Sequence, residues 1–323
     1  MPPGLQAALD AAVLAPSSHN TQPWRFRVDG DVLELRADRS RALPVNDPDD
    51  RELLMSCGAA LMCARVGAAA AGFHLDLEAS PDPADPSLVA RARLRPGAGS
   101  EGELAPALER RRTHRGPMEP GPVDADALGL LREAAEAEGA VLVVLHGPVL
   151  VVLHGPLRDA FADLVGEATR AQFADAAWRR ELAAWMRPSG APDGLAQPLP
   201  ARVVVPRIDL GRPRARADAR AARRAPALAV LATAGDGTVD RLRAGQALAR
   251  VLLQAAALGL AASHLNGPLQ LPALRPRVTA LLDRHPCAPQ AALRIGVPRG
   301  ATPRSGRRPV AEVVDGPGDG PRA

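Results

Sequence analysis

The sequence predicts an α+β fold built from two related halves. Short alternating segments bounded by turn signals recur at 24–35, 73–94 and 227–297, and long apolar helical stretches separate them. Two Ala-rich helices, 58–72 and 245–259, match at a constant offset of 187: Gly58 with Gly245, Ala60 with Ala247, Leu61 with Leu248, and Gly72 with Gly259. Ala68, Ala69 and Ala70 match Ala255, Ala256 and Ala257 in the same register. With 323 residues, 46% of them hydrophobic, the chain can fill one large core or two modest ones.

The elements follow in order. Residues 5–14 place Leu5, Ala8, Ala12 and Val13 at helical spacing, and Pro16 bars continuation. Segment 24–28 alternates as a strand, Asp29-Gly30 turns the chain, and 32–35 returns. A helix is predicted from about 48 to 71, capped by Asp47 or Asp49 and stopped at Gly72. Strands at 73–77 and 88–94 enclose an acidic, Pro-rich loop at 80–86. The linker Pro96-Gly97-Ala98-Gly99-Ser100 divides the chain into 1–100 and 101–314.

The second half opens with a helix from about 103, an Arg-rich stretch and a helix at 124–138. An apolar strand starts at Val141, where the eight residues 141–148 are repeated verbatim as 149–156. One copy suffices for a core strand, and the duplication accounts for His146 and His154. Helices at 157–171 and 175–187, a Pro- and Gly-rich loop at 188–200 and a buried strand at 227–232 come next. A long helix at 241–258 stops at Gly259; segment 260–265, a helix at 272–284 and a strand at 291–297 complete the half. Residues 315–323 are expected to form a disordered tail.

In an Ala-rich chain the Ala matches are cheap, and two unrelated helices would produce them. The paired glycines and leucine fit a second reading, two halves packed about a pseudo-two-fold axis with 58–71 against 245–258.

Composition narrows the function. All 40 cations are Arg, Tyr is absent and aromatics are 2%, so the pI of 9.9 reflects base composition more than a binding adaptation. The net charge is only +4, and the one dense basic run is Arg212, Arg214, Arg216, Arg220, Arg223 and Arg224. A nucleic-acid binder would cluster cations beside stacking aromatics, so no nucleic-acid partner is expected. Cys57, Cys63 and Cys287 form neither a disulfide framework nor a zinc motif, which fits a reducing cytoplasmic compartment. No basic n-region precedes Pro16, and no stretch approaches the ~20 apolar residues of a membrane span, so neither a signal peptide nor a membrane partner is expected.

Two segments carry candidate chemistry. Arg111, Arg112, Thr113 and Arg115 offer guanidinium forks and a hydroxyl suited to a phosphate, or a solvated charged turn. Arg307 and Arg308 form a second cationic pair. Between Pro16 and Pro23, residues Ser17, Ser18, Asn20 and Gln22 present small polar side chains, as either a rigid binding loop or a helix cap and Asx-turn. No Ser-His-Asp or metal-ligand spacing is seen, and His264 and His285 read as surface or core residues.

Pro16-Ser17-Ser18-His19-Asn20-Thr21-Gln22-Pro23-Trp24 resembles the signature loop of FMN-dependent nitroreductases. Arg111-Arg112-Thr113-His114-Arg115 resembles their phosphate motif, and Arg307-Arg308-Pro309-Val310-Ala311-Glu312-Val313-Val314 their closing element. In an ordinary member the Arg motif comes first. Here the Ser-rich loop does, an order similar to the Acg-like branch, in which one chain mimics the family homodimer. Residues 51–61 and 178–185 are also similar to that branch.

The resemblance implies a nitroreductase-like α/β/α sandwich, an intramolecular pseudo-dimer and one FMN. One half would hold the phosphate through Arg111, Arg112, Thr113, Arg115, Arg307 and Arg308, and the other would supply Pro16, Ser17, Ser18, Asn20 and Gln22. Leu265, Asn266 and Gly267 would offer backbone N–H groups near flavin N5. The implied activity is hydride transfer from NAD(P)H through FMN to a nitroaromatic or quinone, with no side-chain acid or base required. Segment 186–215, long and irregular, is a candidate lid; closed, it would make the protein a flavin store instead. The chain is expected to act as a monomer with an internal pseudo-two-fold, a homodimer being the alternative.

Overall fold

The computed structural model describes residues 1–97, 99–144, 155–282 and 287–315. The first half runs α1 (Pro3–Ala12), β1 (Trp24–Asp29), β2 (Val32–Ala37), α2 (Arg51–Ala70), β3 (Phe73–Ala79) and β4 (Leu88–Pro96). After a 3-10 turn, Ser100–Leu104, come α3 (Ala105–Arg110), α4 (Ala125–Glu136), β5 (Val141–Val144), α5 (Pro156–Ala174) and α6 (Ala176–Ala184). Next are β6 (Met186–Arg187), β7 (Leu195–Ala196), α7 (Leu199–Val204) and α8 (Gly211–Arg223). The chain closes with β8 (Ala227–Thr233), α9 (Thr238–Ala257), β9 (Ala261–His264), α10 (Gly267–Gln270), α11 (Arg275–Leu281), β10 (Ala288–Gly296) and α12 (Val310–Val313).

The two main sheets share one topology. The first has order β1-β2-β4-β3 and the second β5-β8-β10-β9, all neighbours antiparallel. Counted within each half, both are first-second-fourth-third, and α2 and α9 occupy the same place between the second and third strands. In the first sheet one face alternates inward, as in β2, where Leu33, Leu35 and Ala37 are buried. Its other face carries ion pairs, among them Arg93–Asp31 and Arg95–Asp76. In the second sheet β8 and β10 are buried along almost their whole length. Core residues of α4 and α9 cover one face, and those of α5, α10 and α11 the other. The three-layer sandwich is therefore complete in the second half, while the first half contributes two layers.

Helices α2 and α9 join the halves. A Cβ at Gly58 would overlap the carbonyl oxygen of Leu242, and a Cβ at Gly245 would overlap that of Met55. The small side chains let the backbones touch, as the paired glycines predicted. Gly72 and Gly259 both take left-handed φ, +85° and +73°, just beyond the helix ends. Asp47 serves the start of α2 without being its N-cap residue: its Oδ2 accepts from Leu53 N at 2.9 Å, while Asp50 occupies the cap position.

Several expectations are corrected. Helix α9 begins at Thr238, stabilised by Asp240, whose carboxylate accepts from Gly237 N. The predicted 272–284 helix is α11, Arg275–Leu281, preceded by the short α10. Segment 186–215 is not irregular: it holds the parallel pair β6–β7, α7 and the start of α8. Among the described residues one helix, α2, is long and apolar enough to cross a membrane by composition, with mean hydropathy 1.6, because Ala, Met, Leu and Cys add up; 89% of that window is buried. Of the repeat at 141–156, residues 145–154 lie outside the described residues, as do His285 and tail residues 316–323. Asp315, placed in the tail, is held: its N–H donates to Phe26 O at 2.8 Å and its carboxylate accepts from Arg25 Nε at 2.6 Å. Through Val314 and Asp315 the end of the second half reaches the first sheet.

Candidate functional site

Loop 16–23 is locked in an uncommon shape. His19, Asn20 and Gln22 all have left-handed φ, +46°, +55° and +51°. Such a cluster of non-glycine residues costs energy and persists only where contacts over-determine it. Those contacts are present. Gln22 N donates to Ser17 Oγ at 2.9 Å, and Asn20 N and Thr21 N donate to Ser17 O and Ser18 O. Asn20 Nδ2 donates to Gly194 O and Gly306 O, both at 3.2 Å. Gln22 Nε2 donates to Pro192 O at 2.8 Å, and its Oε1 accepts from Arg308 N at 2.8 Å. The amides of Asn20 and Gln22 are thus committed to the protein.

The Arg motif leaves α3 and runs beside β9. Thr113 forms a parallel bridge with Ala262, and His114 N donates to Ala262 O at 2.9 Å. Arg294 Nη2 ties the motif down through His114 O and Gly116 O. Arg111 is buried and its Nη2 approaches Leu14 O at 3.4 Å. Arg307 Nη2 reaches the same carbonyl at 3.2 Å, its Nη1 donates to Asn20 Oδ1, and its buried Nε has no partner. Burial, with Arg111 nearby, pulls the Arg307 pKa down to about 9. Burial likewise lowers that of Arg111. Arg115 is exposed, yet desolvation by neighbouring protein lowers its pKa too, with Arg214 acting in the same sense. Among the described residues Arg111, Arg112, Arg115 and Arg307 have no carboxylate partner.

Two predicted cations point elsewhere. Arg112 Nη1 is turned onto Glu109 O and Arg111 O at 2.6 and 2.8 Å. Arg308 faces Glu312, with Nη2 on its carbonyl at 3.0 Å, and has Arg41 and Asp38 as electrostatic neighbours.

Glu52, on the first turn of α2, lies at the centre. It is 5% exposed and accepts from Ser18 Oγ at 2.7 Å, Asn266 Nδ2 at 3.0 Å and Gln270 Nε2 at 3.0 Å. Burial opposes its ionisation, yet Arg51 and these donors prevail and the pKa is lowered. His19 and His264 sense both Glu52 and Arg115, and each has a buried Nδ1 without a partner. Burial dominates and drops both pKa values to about 4, so both rings are neutral at pH 7. Asn266 Oδ1 accepts from Ala292 N at 2.9 Å, which fixes the amide at both ends. Leu265 N is spent on Ala292 O, whereas Asn266 N and Gly267 N find no partner among the described residues.

Segment 186–197 rests on this loop. Its turn packs Ala191 against Gly306 so closely that a Cβ there would overlap the Ala191 carbonyl. Asp193 pairs with Arg41 and with Arg187, and both cations flank the Trp185 ring at 5.1 and 5.4 Å. A cavity of about 810 Å³ opens elsewhere, where α2 and α9 begin; Asn46, Arg51, Asp236, Gln270 and Arg275 line it, and none of the predicted site residues does. It meets the surroundings of Glu52 at Asp47, Arg51 and Gln270.

Over 328 residues, 97% of this chain and 91% of the relative, the sequence is 32% identical to "Putative NAD(P)H nitroreductase Rv3131" of Mycobacterium tuberculosis (strain ATCC 25618 / H37Rv). The chain belongs to the NAD(P)H nitroreductase family. A second relative from the same strain, "Putative NAD(P)H nitroreductase acg", is 32% identical over 96% of this nitroreductase and 94% of itself. No family model matches. Among solved structures, "a putative nitroreductase in complex with fmn" from Desulfovibrio desulfuricans aligns with TM-score 0.39 and 21% identity over 66% of this chain and 96% of its own. A nitroreductase with bound FMN from Bacteroides fragilis NCTC 9343 aligns with TM-score 0.39 and 15% identity over 64% and 95%. The family assignment rests on the mycobacterial relatives.

In this nitroreductase Glu52 links Ser18 to Asn266, Arg111 and Arg307 meet at Leu14 O beside Asn20, and Arg115 is an electrostatic neighbour of His19 and His264, whereas Arg112 and Arg308 turn to other partners. Sequence reasoning missed Glu52: a polar Arg51-Glu52 pair opens an apolar helix, but nothing in that pair reveals its distant partners.

Proposed function

We propose that this nitroreductase binds one FMN between residues 1–100 and 101–314, and that it transfers hydride from NAD(P)H to a nitroaromatic or quinone. The observation that carries this reading is the set of guanidinium groups Arg111, Arg115 and Arg307, which converge on residues 14–20 without a carboxylate partner among the described residues. Arg111 is buried and Arg307 partly buried; cations withdrawn from water and left uncompensated are costly, and a phosphate monoester with nearly two negative charges and three acceptor oxygens would satisfy them. The orphaned Arg307 Nε fits the same ligand.

Arg111 and Arg307 would hold the phosphate, with the Thr113 hydroxyl and Arg115 alongside. Ser17 accepts from Gln22 N and keeps its hydroxyl proton to donate. The N–H groups of Asn266 and Gly267 would face the ring. Bound FMN supplies the hydride chemistry. The protein's own task is to bind, orient and exclude water, and neutral His19 and His264 add no competing charge. NAD(P)H as reductant is supported by the names of the relatives.

A second reading is flavin storage. It is favoured by the turn at 191–194, which Asn20, Gln22 and Gly306 pin over the loop. An absorbance spectrum of the purified chain, before and after anaerobic NAD(P)H, separates the two. Bleaching of a flavin band that a nitroaromatic or quinone restores supports the enzyme, and a yellow protein that NAD(P)H leaves unchanged supports storage. A colourless chain that takes up no added FMN rejects both.

A further inference from the structure

We propose that Glu52 is the positioning residue of this site: its buried carboxylate ties the loop of one half to the turn of the other and places a fixed negative charge one hydrogen bond behind the ligand-facing surface. The inference rests on the FMN reading above.

The geometry is specific. Glu52 and Ser18 come from the first half, and Asn266 and Gln270 from the second. Ser18 Oγ, Asn266 Nδ2 and Gln270 Nε2 all converge on the two carboxylate oxygens. Ser18 and Asn266, the residues that would be assigned to the ligand, spend their side-chain donors on Glu52 instead. Their placement is therefore set by the carboxylate. Arg51 Nη2, at 3.3 Å, offsets the charge only in part, because another arm of that guanidinium is drawn to Gln290 O. The remaining charged or titratable groups facing Glu52 are Asp47, His19 and His264.

Stability alone gives no reason for such a charge. A buried carboxylate carries a desolvation cost that its partners at best recover, and an apolar contact between the halves would serve cohesion as well. A fixed anion has a different use beside a redox ligand. Reduction adds negative charge to a flavin, and a carboxylate whose charge is only partly offset disfavours the reduced form nearby. Glu52 thus holds the bound flavin at a low potential and so makes it a stronger reductant.

Three variants of the full chain test this, each read by FMN dissociation constant from flavin fluorescence quenching and by midpoint potential of bound FMN. Glu52→Gln keeps the length and one acceptor but removes the charge. It should hold FMN within a few-fold of wild type and stabilise the reduced form at least tenfold, a rise of about 30 mV for a two-electron couple. Glu52→Asp keeps the charge and shortens the arm. It should lower affinity about tenfold, as Ser18 and Asn266 lose their common anchor, and leave the potential near wild type. Glu52→Ala should lose more affinity than either. If Glu52→Gln does not fold, Glu52→Asp still decides the positioning claim. Unchanged affinity in Glu52→Asp, or an unchanged potential in a folded Glu52→Gln that binds FMN, overturns the proposal while the FMN reading stands. A wild-type chain that binds no FMN overturns both.

Discussion

Gly58 meets Leu242 in the way that Gly245 meets Met55. The two contacts exchange when 187 is added to or subtracted from the residue numbers, the mark of an isologous interface carried within one chain. In a subunit dimer the same relation would bury one patch against its own copy; here α2 and α9 play the two copies. The shared strand order of the two sheets extends that relation beyond the helices.

The close approach predicts a sign. In an isolated helix Gly→Ala stabilises, by up to about 1 kcal/mol. Gly58→Ala and Gly245→Ala should instead each destabilise by about 1–3 kcal/mol, because the added methyl collides with backbone that cannot move aside. Urea unfolding monitored by circular dichroism checks this, and stabilisation in either variant contradicts the interface described.

Ligand affinity should follow burial more than order in the motif. Arg111→Gln and Arg307→Gln should each weaken FMN binding by about 2 kcal/mol. Arg112→Ala should cost less, since that side chain is turned onto the carbonyls of Glu109 and Arg111. Isothermal titration with FMN ranks the three.

The turn at 191–194 is held by side-chain amides. Gln22→Ala removes the bonds to Pro192 O and Arg308 N, worth about 1 kcal/mol each. Hydrogen exchange of residues 188–197 should accelerate while exchange in α2 stays at the wild-type rate. If storage by a closed lid is the function, the same variant should gain reduction by NAD(P)H.

Acid should weaken the fold through the site. His19 and His264 bind protons near pH 6.5 when unfolded and near 4 when folded, so the stability they contribute is lost as pH falls from 6.5 towards 4. Asp47 acts in the opposite sense, because burial raises its pKa to about 6 and its contribution is lost as pH rises through that value. Near pH 5 the two imidazoles outweigh the one carboxyl by about one proton, so stability should rise with pH between 4.5 and 6.5. Unfolding free energies from denaturant titrations across that range should show the slope, and His264→Asn should flatten it.

Much of the fold is legible in the sequence because its signals are local. The alternation at 24–28, the Asp29-Gly30 turn and the stops at Gly72 and Gly259 each depend on a few neighbouring residues. The repeat was readable from glycines because only a residue without a Cβ fits where backbones touch. Helix α8 was not readable. Its buried stripe is Ala215, Ala219 and Ala222, and in a chain so rich in Ala such a stripe carries no contrast, while Pro213 and the exposed arginines suggest a loop. The site was legible as motifs but not as contacts. Asn20 and Gln22 look like ligand-binding amides until the turn at 192–194 and residues 306–308 fold onto them. Glu52 is invisible beforehand because its partners lie 34, 214 and 218 residues away.

The most direct measurement is a stoichiometric titration of the full chain with FMN, followed by flavin fluorescence and repeated with Arg307→Gln. One FMN per chain, with affinity reduced in the variant, is the predicted result. No binding, two equivalents per chain, or equal affinity in the variant would contradict a single site assembled between the halves.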